Sequence, residues 1–432
     1  MVTSPPPNSV VVVGAGPAGL AAGAGLDARG FSSILIEQGP ALISRRTSDA
    51  RSVVSGTGGA GLFSDGKFSF YPSASRVWDI QPRQHLEEAY EWLREAVAPL
   101  GVLPPVLPAE AGSAAHTSTS HDSGFKRYPS IYMSIDKRID LIHALSSQAD
   151  SLQNNAQVSG IHASSNGGID VHVQHDGHEL LINTAAVIFA GGRFSPIHLP
   201  CIAPDISQKF RRLEVGVRIE QASKEFFLRS DEQLDSKLIL PAGDKLEYRT
   251  FCCCRNGRTI VTDYDKLRSV SGHSDGPLTD RSNIGFNVRI LDTELGLTLW
   301  QDLQHRLRRP DLPVSEPLSA FLGPAGRPQH DSRLARTLGD TLSLLLARGL
   351  SELRAYFPHA LLSHATLIGP TVEGVGMYPL IRPDLRSQLA HVWVAGDAVG
   401  TFRGLTAAMI SGYSAALAAA KSISCHSKFR AD

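Results

Sequence analysis

Residues 9–39 of the chain read SVVVVGAGPAGLAAGAGLDARGFSSILIEQG, and this stretch decides the fold. Val10–Val13 is a run of β-branched residues, which is typical of a buried strand. A glycine-rich turn follows, then a segment rich in Ala and Leu to about Gly30, and then a second apolar run at Ile34–Glu37. The pattern predicts a strand, a helix and a second strand, which together form one βαβ unit.

The turn after the first strand has the spacing of a dinucleotide-binding loop. In GAGPAG, Gly14 permits a tight turn, Gly16 lets the backbone approach a pyrophosphate, and Gly19 allows close helix–strand packing. The helix N-terminus adds free N–H groups and a positive dipole end for the phosphates. Glu37, at the end of the second strand, is placed to accept both ribose hydroxyls; a purely structural turn is the alternative. The predicted contacts are Gly14, Ala15, Gly16, Pro17, Ala18, Gly19, Glu37 and Gln38.

The far end of the chain indicates which dinucleotide binds. Residues 391–420, HVWVAGDAVGTFRGLTAAMISGYSAALAAA, comprise an apolar strand, a Gly-Asp turn and a long helix of small residues. The segment resembles the second flavin-binding motif of the glutathione-reductase-like FAD superfamily. That resemblance implies that Asp397 binds the ribityl chain and that the helix N-terminus faces the flavin pyrimidine ring, where it would stabilise a reduced flavin. A Gly-Asp turn that caps a core helix is the alternative.

Together, the two ends of the chain predict bound FAD. The strand-to-glycine segment VIFAGG at 187–192 is a third match to the superfamily. The further predicted FAD contacts are Gly191, Gly192, Gly396, Asp397, Arg403, Gly404, Leu405 and Thr406.

Segments between the two motifs are similar to a little-characterised group of FAD-dependent dehydrogenases. They are RRTSDARSVVSGTGGAGLFSDGK (45–67), LEVGVRIE (213–220), YRTFCCCRNGRTIV (248–261) and GPTVEGVGMYPLIR (369–382). The chain departs from the group at Val372-Glu373-Gly374-Val375, where related chains carry an Arg. The chain is thus identified as an FAD-dependent oxidoreductase of α/β class, with a Rossmann-like FAD-binding domain and an inserted, mainly β substrate domain.

Composition limits the classes of partner. Lys plus Arg and Asp plus Glu both number 42, so no basic field attracts nucleic acid. No long apolar segment or secretory leader is evident, so we expect no membrane span and a cytoplasmic location. The expected domains are residues 1–200 (FAD-binding, first part), 201–330 (substrate domain, a mixed β/α insertion) and 331–432 (return to the FAD-binding domain).

The segment SDGK at residues 64–67 is the best candidate for chemistry. The glycines before it allow the backbone close to the pyrophosphate, and Ser64 could bond a phosphate or a ring atom. Lys67 is a candidate catalytic cation beside the isoalloxazine, where it would stabilise a reduced flavin; a surface Lys after a Gly turn is the alternative. The predicted FAD contacts here are Gly58, Gly59, Ala60 and Ser64.

Three further residues are weaker candidates. Arg46, or its neighbour Arg45, could neutralise the pyrophosphate, because a guanidinium forks onto phosphate oxygens; a solvated charge is the alternative. Tyr378 could line the substrate side of the flavin as a second catalytic residue, although a packed core Tyr is the favoured alternative. Val158, on a predicted strand at 157–163, is assigned as a cofactor contact.

The three consecutive cysteines do not predict a redox pair. On a regular strand Cys252 and Cys254 share one face and Cys253 points to the other, with Cβ atoms too far apart for an easy disulfide. We therefore expect buried small hydrophobic residues. No metal-ligand spacing appears, and the histidines are expected at the surface: His116, His121, His172, His175 and His178.

Three functions are consistent with the sequence. The first is a dehydrogenase or oxidase that takes hydride from a small organic substrate. The second is an NAD(P)H-dependent flavin monooxygenase, and the third is a non-catalytic flavin-binding module. O2 and NAD(P)H are the candidate co-substrates, and the inserted β domain favours an enzyme over a binding module.

Overall fold

The N-terminal βαβ unit forms as part of a five-stranded parallel sheet. The computed structural model describes residues 2–3, 9–109, 111, 124–359 and 362–429. The sheet has the strand order β20 (Val392–Val394), β11 (Ala186–Phe189), β2 (Val10–Val13), β3 (Ser33–Ile36) and β7 (Ser151–Gln153), and every pair in it is parallel. The four valines of β2 are all buried, as a strand covered on both faces requires. Helix α1 has Pro17 in its first turn and packs on the C-terminal helix α10.

The strands are bounded as follows: β1 Val2–Thr3, β2 Val10–Val13, β3 Ser33–Ile36, β4 Lys67–Ser69, β5 Phe125–Lys126, β6 Ser130–Tyr132, β7 Ser151–Gln153, β8 Ala156–Ala163, β9 Ile169–His175, β10 His178–Thr184, β11 Ala186–Phe189, β12 Gln208–Ala222, β13 Lys237–Pro241, β14 Leu246–Cys254, β15 Arg258–Tyr264, β16 Leu267–His273, β17 Arg281–Ile290, β18 Val314–Pro317, β19 Thr366–Pro379 and β20 Val392–Val394.

The α-helices are α1 Pro17–Asp27, α2 Ala50–Val54, α3 Arg83–Val97, α4 Ile135–Ser146, α5 Leu199–Ile202, α6 Thr293–Arg306, α7 Leu318–Phe321, α8 Arg333–Leu338, α9 Asp340–Tyr356 and α10 Leu405–Phe429. Short 3-10 helices occupy Leu42–Ser44, Ser75–Asp79, Ala98–Leu100, Ser195–Ile197, Leu362–His364 and Gly396–Val399. Among the helices of the described chain, none combines the length and hydropathy of a membrane-spanning segment.

A seven-stranded antiparallel sheet forms the second half of the molecule. Its strand order is β18-β19-β12-β17-β14-β13-β5. Apolar side chains of these strands and of helices α6, α8 and α9 form a core separate from that of the parallel sheet. The expected α/β class with a mainly β second part is thus confirmed, whereas the glutathione-reductase-like subtype stays a prediction.

The segment that packs with the antiparallel sheet extends further along the chain than residue 330. Helices α8 and α9 pack in the second core, and β19 pairs along β12 to Pro379. The chain rejoins the parallel sheet only at β20, so the packing favours a boundary near residue 380, whereas the sequence places it at residue 331. Helical periodicity alone could not show against which sheet α8 and α9 would pack.

Two further predictions need correction or lie outside the described residues. Asn256-Gly257 is a dipeptide typical of a hairpin turn, and the chain turns there, but β14 and β15 do not pair with each other, because β15 pairs with β16 and β14 with β17. His116 and His121, which are expected at the surface, lie outside the described residues.

Candidate functional site

A cavity of about 970 Å³ lies between the two sheets. On one side are residues at the carboxyl ends of β2, β3, β11 and β20. On the other side are charged side chains of the antiparallel sheet. In the parallel sheet β2 lies between β3 and β11, so chain order reverses there, and open α/β sheets bind ligands at such a reversal.

Most of the residues predicted from the sequence line this cavity. They are Gly14, Gly16, Pro17, Ala18, Glu37, Gln38, Gly59, Ala60, Ser64, Lys67, Val158, Gly191, Gly192, Gly396, Asp397, Arg403, Gly404, Leu405 and Thr406. The structure therefore brings together segments from both ends of the chain. Whether each of these residues contacts a cofactor stays a prediction.

The glycine-rich loop has the backbone that its sequence requires. Gly14 has φ +98°, and a Cβ there would lie 2.6 Å from the carbonyl oxygen of Ala190. A Cβ on Gly19 would overlap the carbonyl oxygen of Gly14. Gly16 is the N-cap of α1 and makes no side-chain capping bond, so the first turn of the helix keeps free N–H groups for a ligand.

Glu37 acts first as a clamp on the backbone. Its carboxylate accepts hydrogen bonds from the N–H groups of Ala15 (2.9 Å), Gly39 (2.8 Å) and Gly56 (2.9 Å). The side chain is 5% exposed and borders the cavity. These bonds join the glycine-rich loop to the segment after β3, a role that the sequence did not indicate. The ribose contact stays a prediction. The ribose hydroxyls would bond the same carboxylate oxygens that already accept these N–H groups.

Asp397 lies between two guanidiniums. Its Oδ2 is 3.2 Å from Arg193 Nε and 3.7 Å from Arg403 Nε. Burial would raise the pKa of this carboxyl, but Arg403, Arg193 and Arg212 together lower it below its ordinary value. Its Oδ1 is buried and has no hydrogen-bond partner, and the same holds for Thr406 Oγ1 in the first turn of α10. Two polar atoms on the cavity wall thus lack the partner that burial demands.

Glu214 joins this cluster from the antiparallel sheet. The carboxylate is fully buried and pairs with Arg212 (3.2 Å), Arg403 (3.0 Å) and, at short range, Arg289. Burial raises the pKa of Glu214, but Arg289 and Arg212 outweigh it and lower the pKa well below the ordinary value. Arg193, Arg212 and Glu214 were not predicted as site residues, because only tertiary contact places these residues of β12 and the loop after β11 beside Asp397.

Part of the cavity surface is basic. Lys126 on β5 and Lys237 on β13 are directly opposed across antiparallel strands, and Arg289 of β17 lies nearby; we name these three residues the basic wall. Burial, with Lys126 next in effect, lowers the pKa of Lys237 to about 8. Burial and then Arg289 likewise lower the pKa of Lys126. Opposed like charges destabilise a sheet, so this surface favours an anion.

Lys67 borders the cavity inside an ion cluster. Its Nζ lies 3.1 Å from Asp65 and 3.4 Å from Asp235, and it donates a hydrogen bond to the carbonyl oxygen of Cys253. Burial lowers the pKa of Lys67, but Asp65 and Asp235 more than compensate and raise it well above the ordinary value. Two carboxylates therefore balance the positive charge of Lys67, and its role as a catalytic cation stays a prediction.

Five predicted residues do not line the cavity. Tyr378 is 1% exposed, its hydroxyl accepts the N–H of Val375, and it packs in the second core, so its catalytic role stays a prediction without support from its position. Arg46 is exposed and donates to the carbonyl oxygens of Ile43 and Arg45. The other three are Ala15, Gly19 and Gly58, which shape the loop backbone.

Arg45, the alternative to Arg46, also has a structural role. Its guanidinium donates to the carbonyl oxygens of Ser52, Thr57 and Gly59. Burial lowers the pKa of Arg45 to about 10, while Glu37 raises it. Arg45 therefore closes the loop that follows α2. A predicted pyrophosphate contact at either arginine has no support from these positions.

The cysteine segment differs from the expectation. The Sγ atoms of Cys252 and Cys254 lie 3.9 Å apart, so the two thiols are in contact, which the expectation for a regular strand did not indicate. The hydrogen bond from Cys252, with help from Arg218 and Lys67, lowers the pKa of Cys254 to about 6 although burial opposes it. The carboxylate of Asp65 and the two thiols lie within 4.8 Å of one another, a cluster that spacing alone did not indicate.

Comparisons with known proteins give weak similarities. No protein-family model and no curated protein matches the chain. Among solved structures, the flavin-dependent brominase Bmp2 aligns over 96% of this chain and 79% of its own, with 12% identity and a TM-score of 0.46. The anhydrotetracycline hydroxylase OxyS from Streptomyces rimosus aligns over 95% and 60%, with 12% identity and a TM-score of 0.40. CtdE in complex with FAD aligns over 98% and 89%, with 13% identity and a TM-score of 0.39.

Proposed function

We propose that the protein is an FAD-dependent oxidoreductase that acts on a small anionic organic substrate. One observation carries the proposal: a single cavity joins the glycine-rich loop, the unpartnered Oδ1 of Asp397 and the basic wall. Cofactor sites commonly lie at the carboxyl edge of a parallel sheet, and an active site needs polar groups that converge on one space.

The residues present fit FAD at four points. The free N–H groups at the start of α1 suit a pyrophosphate, and Glu37 with Gln38 borders the cavity where the adenosine ribose would lie. Asp397 Oδ1 is an unused acceptor for a ribityl hydroxyl, and the N-terminus of α10 presents a positive dipole end. When bound, the flavin would supply a two-electron acceptor.

The basic wall supports an anionic substrate. The Lys126–Lys237 pair and Arg289 place positive charge on the antiparallel side of the cavity, away from the glycine-rich loop. A carboxylate or similar anion bound there would relieve the repulsion between the two lysines. We propose that these side chains bind and orient the substrate. Neither lysine gains or loses a proton in that role.

The contacts of Lys67 suit a residue that holds its neighbours in position better than a residue that acts directly on a cofactor. Two carboxylates balance its charge, so we propose that it positions Asp235 and the end of β14. The basic wall instead places two lysines opposite each other at the cavity, where an anionic group could bind between them. This shifts the expected effect of Lys67 substitution from turnover toward folding.

The first experiment tests the cofactor. The purified protein is denatured and the released FAD is measured against protein concentration. We expect close to one FAD per chain, or uptake of added FAD by the purified chain. A colourless protein that ignores added FAD would contradict the proposal.

The second experiment separates the reaction types. The FAD-loaded protein is mixed anaerobically with NADH or NADPH, and separately with a panel of small carboxylic acids, while flavin absorbance is followed. Bleaching by a carboxylic acid alone indicates the dehydrogenase or oxidase. Bleaching by NAD(P)H, accelerated by a substrate, indicates the monooxygenase. Bleaching in neither series leaves the non-catalytic binding module.

A further inference from the structure

The end of β14 is not a regular strand. The pairing with β17 shifts register between Phe251 and Cys254, and Cys252 has φ +53°. We call Phe251–Cys254 the cysteine bulge. In a regular strand residues two apart are separated by about 6.6 Å, too far for a disulfide whose Cβ atoms lie about 3.8 Å apart. The bulge instead brings the Sγ atoms of Cys252 and Cys254 to 3.9 Å.

The left-handed conformation of Cys252 has a cost. Residues other than Gly, Asn or Asp rarely adopt a positive φ, and non-glycine residues held there cluster at functional sites. Here the strain coincides with the close approach of two thiols. The pair is therefore more specific than two cysteines that happen to follow each other along a strand.

The two thiols have different surroundings. Cys252 borders the cavity, whereas Cys254 is fully buried beside Arg218. Arg218 is itself fully buried, and its guanidinium donates to the carbonyl oxygen of Cys252 (2.8 Å). A Cβ on Gly272 would lie 2.6 Å from Cys254 Sγ and would also clash with this guanidinium. The absence of a side chain at Gly272 thus leaves room for the thiol and the cation to meet.

We propose that Cys252 and Cys254 form a reversible disulfide that exchanges electrons with small thiols and disulfides in the cavity. In the oxidising direction the two protein thiols and one R–S–S–R molecule become one protein disulfide and two R–SH molecules. Two electrons pass to the small disulfide, and the two thiol protons leave with the released thiols. The reverse reaction consumes two R–SH molecules, or one dithiol.

The arrangement gives each sulfur a role. An incoming thiolate can reach Cys252 from the cavity and attack its sulfur. Cys254 then leaves as a thiolate, next to the guanidinium of Arg218 and near the ammonium of Lys67. A thiol that is stabilised as a thiolate leaves faster, so the buried cations favour cleavage in this direction. The proposal does not depend on FAD binding, because the exchange uses only the thiols of the chain and the small molecule.

Two nearby cations oppose a metal ion at this place. Asp65, which lies close to both thiols, already pairs with Lys67 at 3.1 Å, and Arg218 occupies the far side of the cysteines. A divalent ion would be repelled by both charges. Zinc binding is therefore an outcome that the experiment must detect and that would overturn the redox role.

The experiment uses the full chain, in which Cys201→Ser and Cys425→Ser remove the two exposed cysteines. Samples are equilibrated with mixtures of reduced and oxidised dithiothreitol, and in a second series with glutathione. Free thiols are then trapped by alkylation and the tryptic peptide Thr250–Arg255 is weighed. We expect a single two-electron transition from three alkylated cysteines to one, with loss of two hydrogens. FAD content is measured in the same samples, so failure of the flavin proposal is seen separately.

Three matched variants assign the bond. Cys253→Ala should keep the transition, because that side chain packs in the second core. Cys252→Ser and Cys254→Ser should each abolish it. If either variant fails to fold, fragment-ion spectra of the wild-type peptide locate the bond without a substitution. A disulfide that involves Cys253, or three free thiols under all conditions, would overturn the proposal.

The last experiment tests whether the reduced protein binds zinc, with zinc chloride as the probe. The reduced protein is mixed with one equivalent of zinc, desalted, and assayed for bound metal and for thiol protection. Absence of retained zinc together with the two-electron transition supports the disulfide. Stoichiometric zinc that protects both thiols from oxidation would overturn it.

Discussion

The parallel sheet and the antiparallel sheet contribute to the cavity in different ways. On the parallel side, the polar groups are backbone N–H groups and single side chains that follow strand ends, such as Gly16 and Asp397. On the antiparallel side, the ion clusters are assembled from residues far apart in the chain, such as Glu214 of β12 with Arg289 of β17 and with Arg403, 189 residues away. Short sequence motifs specify the first kind of site, whereas the second kind depends on correct packing of the whole chain. Substitutions on the two sides should therefore fail differently.

The largest effect is expected at Lys67, which joins the two-stranded β4–β6 sheet to Asp235 and to the end of β14 in a buried ion cluster. Lys67→Met leaves Asp65 and Asp235 mostly buried without their cation, which should lower the free energy of unfolding by about 3 kcal/mol. Urea denaturation measures the change. Lys245→Met, at an exposed ion pair with Asp292, is the control and should change stability by about 0.5 kcal/mol or less. Equal stability of wild type and Lys67→Met would show that the cluster does not hold the fold.

Asp397→Ala should weaken the cofactor site while the fold survives. Loss of a buried charge-assisted hydrogen bond costs about 1.5–3 kcal/mol, so FAD affinity should fall by about ten- to a hundredfold. FAD fluorescence titration of the apoprotein gives the dissociation constants. Asp331→Ala, at a fully exposed carboxylate, is the matched control and should bind FAD like the wild type. Unchanged affinity in Asp397→Ala would assign the unpartnered oxygen to something other than the ribityl chain.

Glu37→Gln tests whether one residue serves both the backbone and the cofactor. The amide nitrogen cannot accept, so some of the N–H groups of Ala15, Gly39 and Gly56 lose their partner, at a cost of about 1–3 kcal/mol in unfolding free energy. We also expect FAD affinity to fall by about tenfold if the carboxylate holds the ribose. Thermal unfolding of the apoprotein and FAD titration separate the two effects. A variant with lower stability and normal FAD affinity would assign Glu37 to the backbone alone.

Lys237→Met should give the smallest change in stability, and in the opposite direction. The pKa of Lys237 is lowered to about 8 in the folded chain, so the folded state resists protonation, and the penalty is present in full below pH 8. That penalty is relieved as the pH rises from about 8 toward the ordinary lysine value. At pH 7 the variant should be more stable by about 1 kcal/mol, and the difference should shrink between about pH 8 and pH 10.

The same variant tests the substrate proposal. Benzoate is compared with its neutral counterpart benzamide, and perturbation of flavin absorbance reports binding. We expect Lys237→Met to weaken benzoate by about tenfold and to leave benzamide unchanged. Wild-type binding of benzoate should also weaken as the pH rises through about 8, because Lys237 loses its charge there. Equal loss for both ligands would indicate altered cavity shape instead of charge.

The sequence was most informative where a function needs a special backbone. Gly14 and Gly396 both have positive φ, and each follows a buried strand, so motif spacing located them correctly. Neighbouring positions were less certain: Arg46 and Tyr378 have the right residue types near the right motifs, yet one is exposed and the other lies in the core. Proximity along the chain does not determine the direction in which a side chain points.

The cysteine bulge shows the opposite limit. A strand period of two residues predicts one face for Cys252 and Cys254, but the segment is irregular, and the close approach of the sulfur atoms coincides with a register shift against β17. Bulges depend on the partner strand, and no local pattern in FCCC requires one. Likewise, no motif indicated that Lys126 and Lys237 would be opposed, because β5 and β13 are far apart in the chain.

From the sequence alone one could read the βαβ unit, the glycine-rich loop, the Gly-Asp turn before α10 and the α/β class. Those features follow from short-range hydrogen bonding and from periodic burial, which a few neighbouring residues specify. Tertiary structure alone decided that Glu37 clamps the loop backbone, that Glu214 meets Arg403 across 189 residues, and that two thiols approach each other at the cavity wall. The physical reason is that electrostatic clusters depend on distances in space, which the chain acquires only when both sheets have packed around the same cavity.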